Sequence, residues 1–340
     1  MLRPRRITGR LRAAGRFLGA AALAAALTAG VLAEEKAPPP TRVPTRGESA
    51  KPEAFRLPPD YKNADGSFNQ EALVAQQRKR LEPINEKLLG KFEMAETAHY
   101  LIVSDADPQI SQTFVKWAEA LYSNLCSQFG IDPKERVWDG KCMLLLFSTR
   151  RKFQQYSLEF DGHDAGMAGA YFAWEANSAR EPQLVHICIP LDEKDPRRLQ
   201  DLFAHEGTHA FFQLYKRPVD LPLWLHEGLA EYMTVVNDPG LRPQKAGYAL
   251  QVASSGASIE RVLRSTTGMP LSIMDYSVSY TLVDCLVKAG KPKFKQYIAL
   301  LKEGKDQVTA LKTAYGCDLF GLEQRWRAWM KMNETAYRRR

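Results

Sequence analysis

The amino-acid sequence predicts an α+β fold in which a small mixed sheet packs on helices and a helical lobe follows. Short aliphatic runs that suit strands alternate with longer segments of helical periodicity up to about residue 190. After about residue 270 only helical periodicity remains. Strands followed by a purely helical stretch are typical of the α+β class. The chain of 340 residues can hold one such domain with a sizeable core.

The individual elements follow from apolar periodicity and from the residues that start and stop helices. Asp195 is a good N-cap and Pro196 suits the first turn of a helix, which Pro218 prevents from continuing. Strands are predicted at 99–103, 142–147 and 184–189. Helices are predicted at 70–90, 109–129, 149–158, from Pro196 to about 217, from near Pro222 to about 236, from 273 through 285, and at 294–301, 306–314 and 319–332.

The N-terminal residues 1–33 have the pattern of a secretory signal peptide. Six arginines and no acidic residue precede an Ala-rich apolar stretch, and Val31-Leu32-Ala33 fits the small-residue cleavage rule. We therefore expect an exported protein, periplasmic or extracellular, with no stable membrane span after cleavage. The alternative is an uncleaved N-terminal anchor. Residues 34–65 form a Pro-rich, charged linker that we expect to be disordered, 66–94 a helical lead-in, and 95–340 the main folded domain, with a helical lobe from about 270.

The basic net charge belongs to the leader. The chain has 47 Lys and Arg against 39 Asp and Glu, and removal of the six leader arginines leaves 41 against 39. A balance so near neutrality gives no reason to expect a nucleic-acid partner. Five cysteines occur in a chain expected to be exported; Cys285 with Cys317 is the first pair to test for a disulfide, and small buried thiols are the alternative.

Two histidines four residues apart, His205 and His209, are the most informative feature of the sequence. On a helix they share one face, so both imidazoles can reach a single metal ion. Glu206 points to the side and can reach a water on that ion rather than the ion itself. This arrangement suits a zinc hydrolase with one Zn²⁺ per chain and a glutamate base.

Glu227 is the expected third ligand. It follows Pro222 by five residues, and His209 precedes the turn at Tyr215 by six, so both lie about 8 to 9 Å from the turn on antiparallel helices. Glu231, one turn further, can accept the free N–H of a ligand histidine or can simply be a solvated helix residue. The neighbouring His226 is a candidate for the wall of the pocket.

The segments HEGTH (205–209) and WLHEGLAEY (224–232) resemble the gluzincin zinc metallopeptidases, a group that includes thermolysin, and are most similar to the peptidase-MA-like domains of exported bacterial proteins. The resemblance implies a thermolysin-like catalytic domain, His205, His209 and Glu227 as ligands, and Glu206 as the catalytic base. His226 stands where that family usually has Asn.

Two further features acquire a role through this resemblance. Tyr276 matches the tyrosine that donates a hydrogen bond to the oxyanion in the aminopeptidase branch, although Tyr276 and Tyr280 can both be core aromatics. Gluzincins bind substrate along a sheet edge, and here the expected edge strand comprises Gly169, Ala170, Tyr171 and Phe172; a surface hairpin is the alternative. The glutamate with which aminopeptidases hold the substrate's free amine is missing from this segment.

The sequence therefore predicts a zinc metallopeptidase that hydrolyses peptide or protein substrates, and the missing amine-binding glutamate favours an endopeptidase. Two alternatives use the same residues: a catalytically inert zinc-containing binding or scaffold domain, and a zinc hydrolase of a non-peptide amide. Chelator-sensitive cleavage of peptides separates the first from the others.

Overall fold

The computed structural model of the chain describes residues 57–175, 181–216 and 219–338. The expected leader at 1–33 and the linker up to residue 56 lie outside the described residues. The α+β prediction is confirmed, with a mixed sheet followed by a helical C-terminal part. In the described part of the chain, no helix combines the length and the apolar character that crossing a membrane requires.

Within the described residues, the sheet has five strands in the order β1-β2-β3-β5-β4. Its three central strands are parallel, and both outer strands run antiparallel to their neighbours, which confirms the mixed sheet. The strands are β1 (Glu93–Glu96), β2 (Tyr100–Ser104), β3 (Cys142–Phe147), β4 (Tyr171–Glu175) and β5 (Leu184–Pro190). Alternate side chains face two separate apolar layers, because successive residues of a strand point to opposite faces.

Helices cover both faces of the sheet and form the C-terminal part of the chain. The larger apolar layer, which we call the front face, includes the metal-motif helices; the smaller one, the back face, includes α4. The α-helices are α1 (Gln70–Arg78), α2 (Leu81–Lys87), α3 (Pro108–Phe129), α4 (Arg150–Glu159), α5 (Pro196–Leu214), α6 (Leu223–Asn237), α7 (Arg242–Ser255), α8 (Glu260–Leu263), α9 (Ile273–Lys288), α10 (Lys291–Lys302), α11 (Gln307–Tyr315) and α12 (Leu319–Arg338).

The prediction of a single helix over 70–90 is wrong, because this segment forms the two helices α1 and α2. Pro83 explains the break. In a continuous helix its missing N–H would leave the carbonyl of Lys79 without a partner, and its ring would collide with that carbonyl. Starting α2 at Leu81 places Pro83 in the first turn, where no intrahelical N–H is required.

Three elements were missing from the sequence prediction: strand β1, helix α7 and the four-residue helix α8. Strand β1 is a short antiparallel edge strand of mixed polarity, and such strands give a weak pattern. Helix α7 buries Ala246, Ala249 and Leu250, so small residues replace the broad apolar stripe that identifies a helix in sequence. Helix α7 carries a residue of the site described below.

All five cysteines are free thiols, including Cys285 and Cys317, which were expected as a candidate disulfide. Cys317 is partly exposed, and the other four are buried. Buried cysteine behaves as a small apolar side chain, which fits the second of the two sequence interpretations.

Candidate metal centre

Helix α5 carries the two histidines at the spacing that the sequence predicted. Asp195 caps its N-terminus by accepting a hydrogen bond from the backbone N–H of Arg197, and Pro196 lies in its first turn. The Nε2 atoms of His205 and His209 lie 3.1 Å apart, with the two rings nearly perpendicular. Both imidazoles are therefore aimed at one point beside the helix.

Helix α6 brings Glu227 to the same point. Its Oε2 atom lies 3.7 Å from Nε2 of His205 and 3.5 Å from Nε2 of His209. The next residue, Gly228, packs against the backbone of α9, and a Cβ there would collide with the carbonyl oxygen of Ser279. Glycine at this position thus permits the close approach of α9, the helix that carries Tyr276.

The three donor atoms fit a zinc ion. In a tetrahedral zinc site with bonds of about 2.0–2.1 Å, ligand atoms lie about 3.3 Å from one another. The observed separations of 3.1, 3.5 and 3.7 Å bracket that value. Glu227 Oε2 is buried and has no hydrogen-bond partner among the described residues. A carboxylate oxygen in that state needs a cation or a proton.

The electrostatics of the site favour neutral imidazoles. Burial and then the neighbouring His209 lower the pKa of His205 to about 4, and burial lowers the pKa of His209 to about 3. Burial raises the pKa of Glu227, against the opposing effect of His205 and His226. Near pH 7 both imidazoles therefore keep the lone pairs that a metal ligand needs.

Glu231 lies where the sequence placed it, beside the other nitrogen of His205. Its Oε1 is 3.5 Å from His205 Nδ1, and its Oε2 forms an ion pair with Lys245 Nζ at 2.7 Å. Sequence reasoning missed Lys245 because it belongs to α7. The three side chains form a series in which a cation on α7 fixes the carboxylate that faces the histidine of α5.

Phe172 brings the edge of the sheet to the site. Its ring centroid lies 5.5 Å from that of His209 and 6.0 Å from that of His226, and the two histidine rings are 4.2 Å apart. Strand β4 is the last strand of the sheet, so an edge does lie beside the candidate ligands. Gly169 and Ala170 precede β4, and a Cβ at Gly169 would press on Leu202 of α5.

The two tyrosines of α9 lie in different environments. Tyr276 is partly exposed; burial and then the negative charges of Glu227, Glu231 and Glu206 raise its pKa. Its hydroxyl therefore stays protonated near the carboxylates of the site. Tyr280 is buried among core aromatics, with its ring 6.4 Å from that of Tyr337.

The segment with this geometry matches a known family. Residues 185–332 match the family described as the Peptidase MA superfamily. The match covers less than half of the chain. The matched segment contains α5, α6 and α9 whole, so His205, Glu206, His209, Glu227 and Tyr276 all lie inside it. Strand β4 lies outside it.

Solved structures of zinc metallopeptidases also align with the chain. The M1 zinc metallopeptidase from Deinococcus radiodurans aligns with a TM-score of 0.38 and 15% identity, over 70% of this chain and 51% of that one. A mutant of an M1 zinc metallopeptidase from Deinococcus radiodurans bound to a Tyr-Ser-Ala substrate aligns with a TM-score of 0.40 and 17% identity over the same shares. This chain thus spans about half the length of these structures. A search of curated proteins found no match.

Proposed function

We propose that the protein is a zinc-dependent metallopeptidase in which His205, His209 and Glu227 hold the ion. The observation that carries this proposal is the position of Glu227 Oε2, which is buried without a hydrogen bond among the described residues and faces both Nε2 atoms. The match to the Peptidase MA superfamily supports it. We also propose one zinc ion at this site.

In the proposed reaction, the ion and the surrounding side chains have different roles. Bound zinc lowers the pKa of a coordinated water towards about 7 and polarises a carbonyl oxygen. Glu206 follows His205 on α5 and is buried beside the site, where its carboxylate accepts the proton of the attacking water. It then passes this proton to the leaving amine, so that the peptide nitrogen departs neutral.

Tyr276 supplies the hydrogen bond to the oxyanion in this proposal. Its raised pKa keeps the phenol protonated, and a donor aimed at developing charge contributes most in a site from which water is excluded. Glu231 orients the His205 ring from the side of Nδ1, the nitrogen that does not face the ion. The ion pair with Lys245 keeps the Glu231 carboxylate in place. Neither Glu231 nor Lys245 has to touch the substrate.

The substrate in this proposal is a peptide or protein that pairs with the free edge of β4 and is cut internally. An extended chain there would lie next to Phe172 and hence close to His209. The missing amine-binding glutamate favours an endopeptidase. Export rests on the leader pattern of residues 1–33 and belongs to the proposal as well.

The test is cleavage of a peptide library by the purified protein with and without a chelator, and by Glu206→Gln. We expect chelator-sensitive cleavage that falls by about 10²–10⁴-fold in Glu206→Gln, since a general base contributes about that much. Zinc content should be unchanged in this variant. Glu303→Gln, at an exposed position, is the matched control.

Two outcomes would count against the proposal. Full turnover by Glu206→Gln would reject the glutamate mechanism. Zinc and peptide binding without turnover by the wild-type protein would instead support the inert binding or scaffold domain.

A further inference from the structure

A second group of metal-ligand side chains lies on the back face of the sheet. Strand β5 places His186 and Cys188 two residues apart and therefore on one face, opposite to Ile187. Asp161 follows α4 and reaches the same place. The surrounding layer includes Phe147 and Phe153, and the positive charge of Arg80 acts on Asp161.

The donor atoms of this back cluster (Asp161, His186 and Cys188) are close together and buried. The imidazole nitrogen, a carboxylate oxygen and the sulfur all lie within 4.8 Å of one another. The side chains of His186 and Asp161 are 2% and 5% exposed, and Cys188 is fully buried. Buried ionisable groups are normally paired or bound to a metal, so the cluster requires an explanation.

Tyr171 of β4 adds a fourth donor. Its hydroxyl donates a hydrogen bond of 2.6 Å to Asp161 Oδ2, which also lies 2.9 Å from His186 Nε2. The same hydroxyl is in hydrogen-bonding contact with Cys188. A carboxylate, an imidazole, a thiol and a phenol from three separate segments of the chain thus meet at one buried point.

We propose that Asp161, His186 and Cys188 form a second metal site, for a divalent ion of the zinc class, with the Tyr171 oxygen as fourth donor. A mixed nitrogen, oxygen and sulfur set suits zinc better than the harder magnesium or calcium, which take oxygen ligands. Four protein donors leave no open position, which is the pattern of structural zinc sites. Hydrolysis therefore stays at the front-face centre.

The hydrogen bonds between these donors are compatible with metal binding. Asp161 Oδ2, which accepts from the Tyr171 hydroxyl and lies against His186 Nε2, would use the same lone pairs to bind the ion. The front-face imidazoles approach each other in a similar way, at 3.1 Å. Binding exchanges protons for the metal: the Cys188 thiol loses its proton to solvent, and His186 gives up the Nε2 proton that faces Asp161 and binds through that nitrogen as the neutral ring. No oxidant or reductant takes part.

The ion would connect the segment after α4 to β4 and β5. Tyr171 and Phe172 are adjacent on β4 and point to opposite faces, so the back cluster holds the strand whose other face contacts His209. Loading the back cluster should therefore order the sheet edge beside the front-face site. The inference does not depend on peptidase activity.

Metal analysis of the full-length protein after exhaustive dialysis is the first test. We expect about two zinc ions per chain in the wild type and about one in each of His205→Ala and Cys188→Ser. Cys142→Ser is the matched control, because Cys142 is equally buried but lies on the front face and should keep both ions. Equal zinc content in the wild type and in a folded Cys188→Ser would overturn the proposal.

Cobalt(II) substitution gives a readout that needs no variant to fold. A cobalt–thiolate bond produces an intense near-ultraviolet charge-transfer band, which a site of two histidines and a glutamate cannot produce. We expect the band in the wild type, in His205→Ala and in Cys142→Ser, and its loss in Cys188→Ser. One ion in the wild type with the band would support this site and count against the front-face centre. Wild-type protein without the band would leave Asp161, His186 and Tyr171 as a metal-free hydrogen-bond network and refute the inference.

Discussion

The front-face site and the back cluster are built from similar side chains on opposite faces of one sheet. They differ in whether their carboxylates have hydrogen-bond partners. On the front face, Glu227 Oε2 is buried without a hydrogen bond among the described residues. On the back face, Asp161 Oδ2 accepts a hydrogen bond from Tyr171 and pairs with His186. The two carboxylates should therefore respond oppositely to removal when no metal is present.

The difference follows from what each site has to do. A catalytic site must keep its donors free for an ion with an open position, so it retains unsatisfied groups that reduce stability. The pKa values agree with this. Burial raises the pKa of Glu227, whereas for Asp161 the effect of burial is outweighed, chiefly by His186 and Tyr171, and the pKa is lowered.

The largest expected effect is the loss of stability in Asp161→Ala. Removing one partner of a buried pair leaves the other uncompensated, which destabilises a protein by about 3–5 kcal/mol. Urea unfolding at pH 7 in the presence of a chelator measures this effect, with the exposed Asp60→Ala as control. An unfolding free energy equal to that of the control would show that the hydrogen bonds of the back cluster contribute nothing.

Zinc affinity at the front face should fall in Glu231→Ala. Replacing a group that orients a ligand histidine typically weakens metal binding by about 10–100-fold. Competition with a chromophoric chelator measures this, and Lys245→Met should produce a smaller loss in the same direction because it acts through Glu231. The control is Glu260→Ala, whose side chain is exposed on α8. An unchanged affinity in Glu231→Ala would place that carboxylate outside the metal centre.

The front-face site was predictable because its three expected ligands lie close together in the sequence, on two consecutive helices. His205 and His209 are one turn apart on one helix, and a short turn sets Glu227 opposite them, so helical rise alone gives their relative heights. The chain positions of α5 and α6 followed from Asp195, Pro196 and Pro222. The break at Pro83 was also readable from sequence and was missed.

The back cluster and Lys245 were not predictable by the same reasoning. Asp161 and His186 are 25 residues apart, and only the pairing of β4 with β5 and the path after α4 bring them together. Lys245 belongs to a helix whose buried residues are mainly alanines, so neither the helix nor its contact with Glu231 has a clear sequence signal. Long-range register and weak periodicity limit such predictions.

Glu227→Gln should stabilise the metal-free protein, opposite in sign to Asp161→Ala. An unsatisfied buried charged group destabilises by about 1–3 kcal/mol or more, and a neutral amide of the same shape reduces that penalty. We expect a higher urea midpoint in chelator together with weaker zinc binding. A lower midpoint would mean that Glu227 is satisfied in the metal-free protein and that the contrast between the two faces does not hold.

The last expected effect depends on pH and concerns Lys302, which secures the turn between α5 and α6. Its Nζ donates hydrogen bonds to the carbonyl oxygens of Gln213 and Val219, and the side chain is buried. Burial, opposed by Asp220, lowers the pKa of Lys302 from 10.5 to about 7. Between these pH values the unfolded chain holds a proton that the folded chain has released.

Stability should therefore rise with pH across that window, by at most about 1.4 kcal/mol per pH unit from this single group. Below about pH 7 both states are protonated and the penalty of burying the charge is complete; above the ordinary pKa it disappears. Urea unfolding of chelated wild type and Lys302→Met between pH 6 and 10 isolates the effect, because all other titrating groups are shared. We expect the free-energy difference between them to grow with pH in favour of the wild type. If the difference in unfolding free energy does not change with pH, Lys302 stays charged in the folded protein. Its ammonium group then donates to the carbonyl oxygens of Gln213 and Val219 without losing its proton.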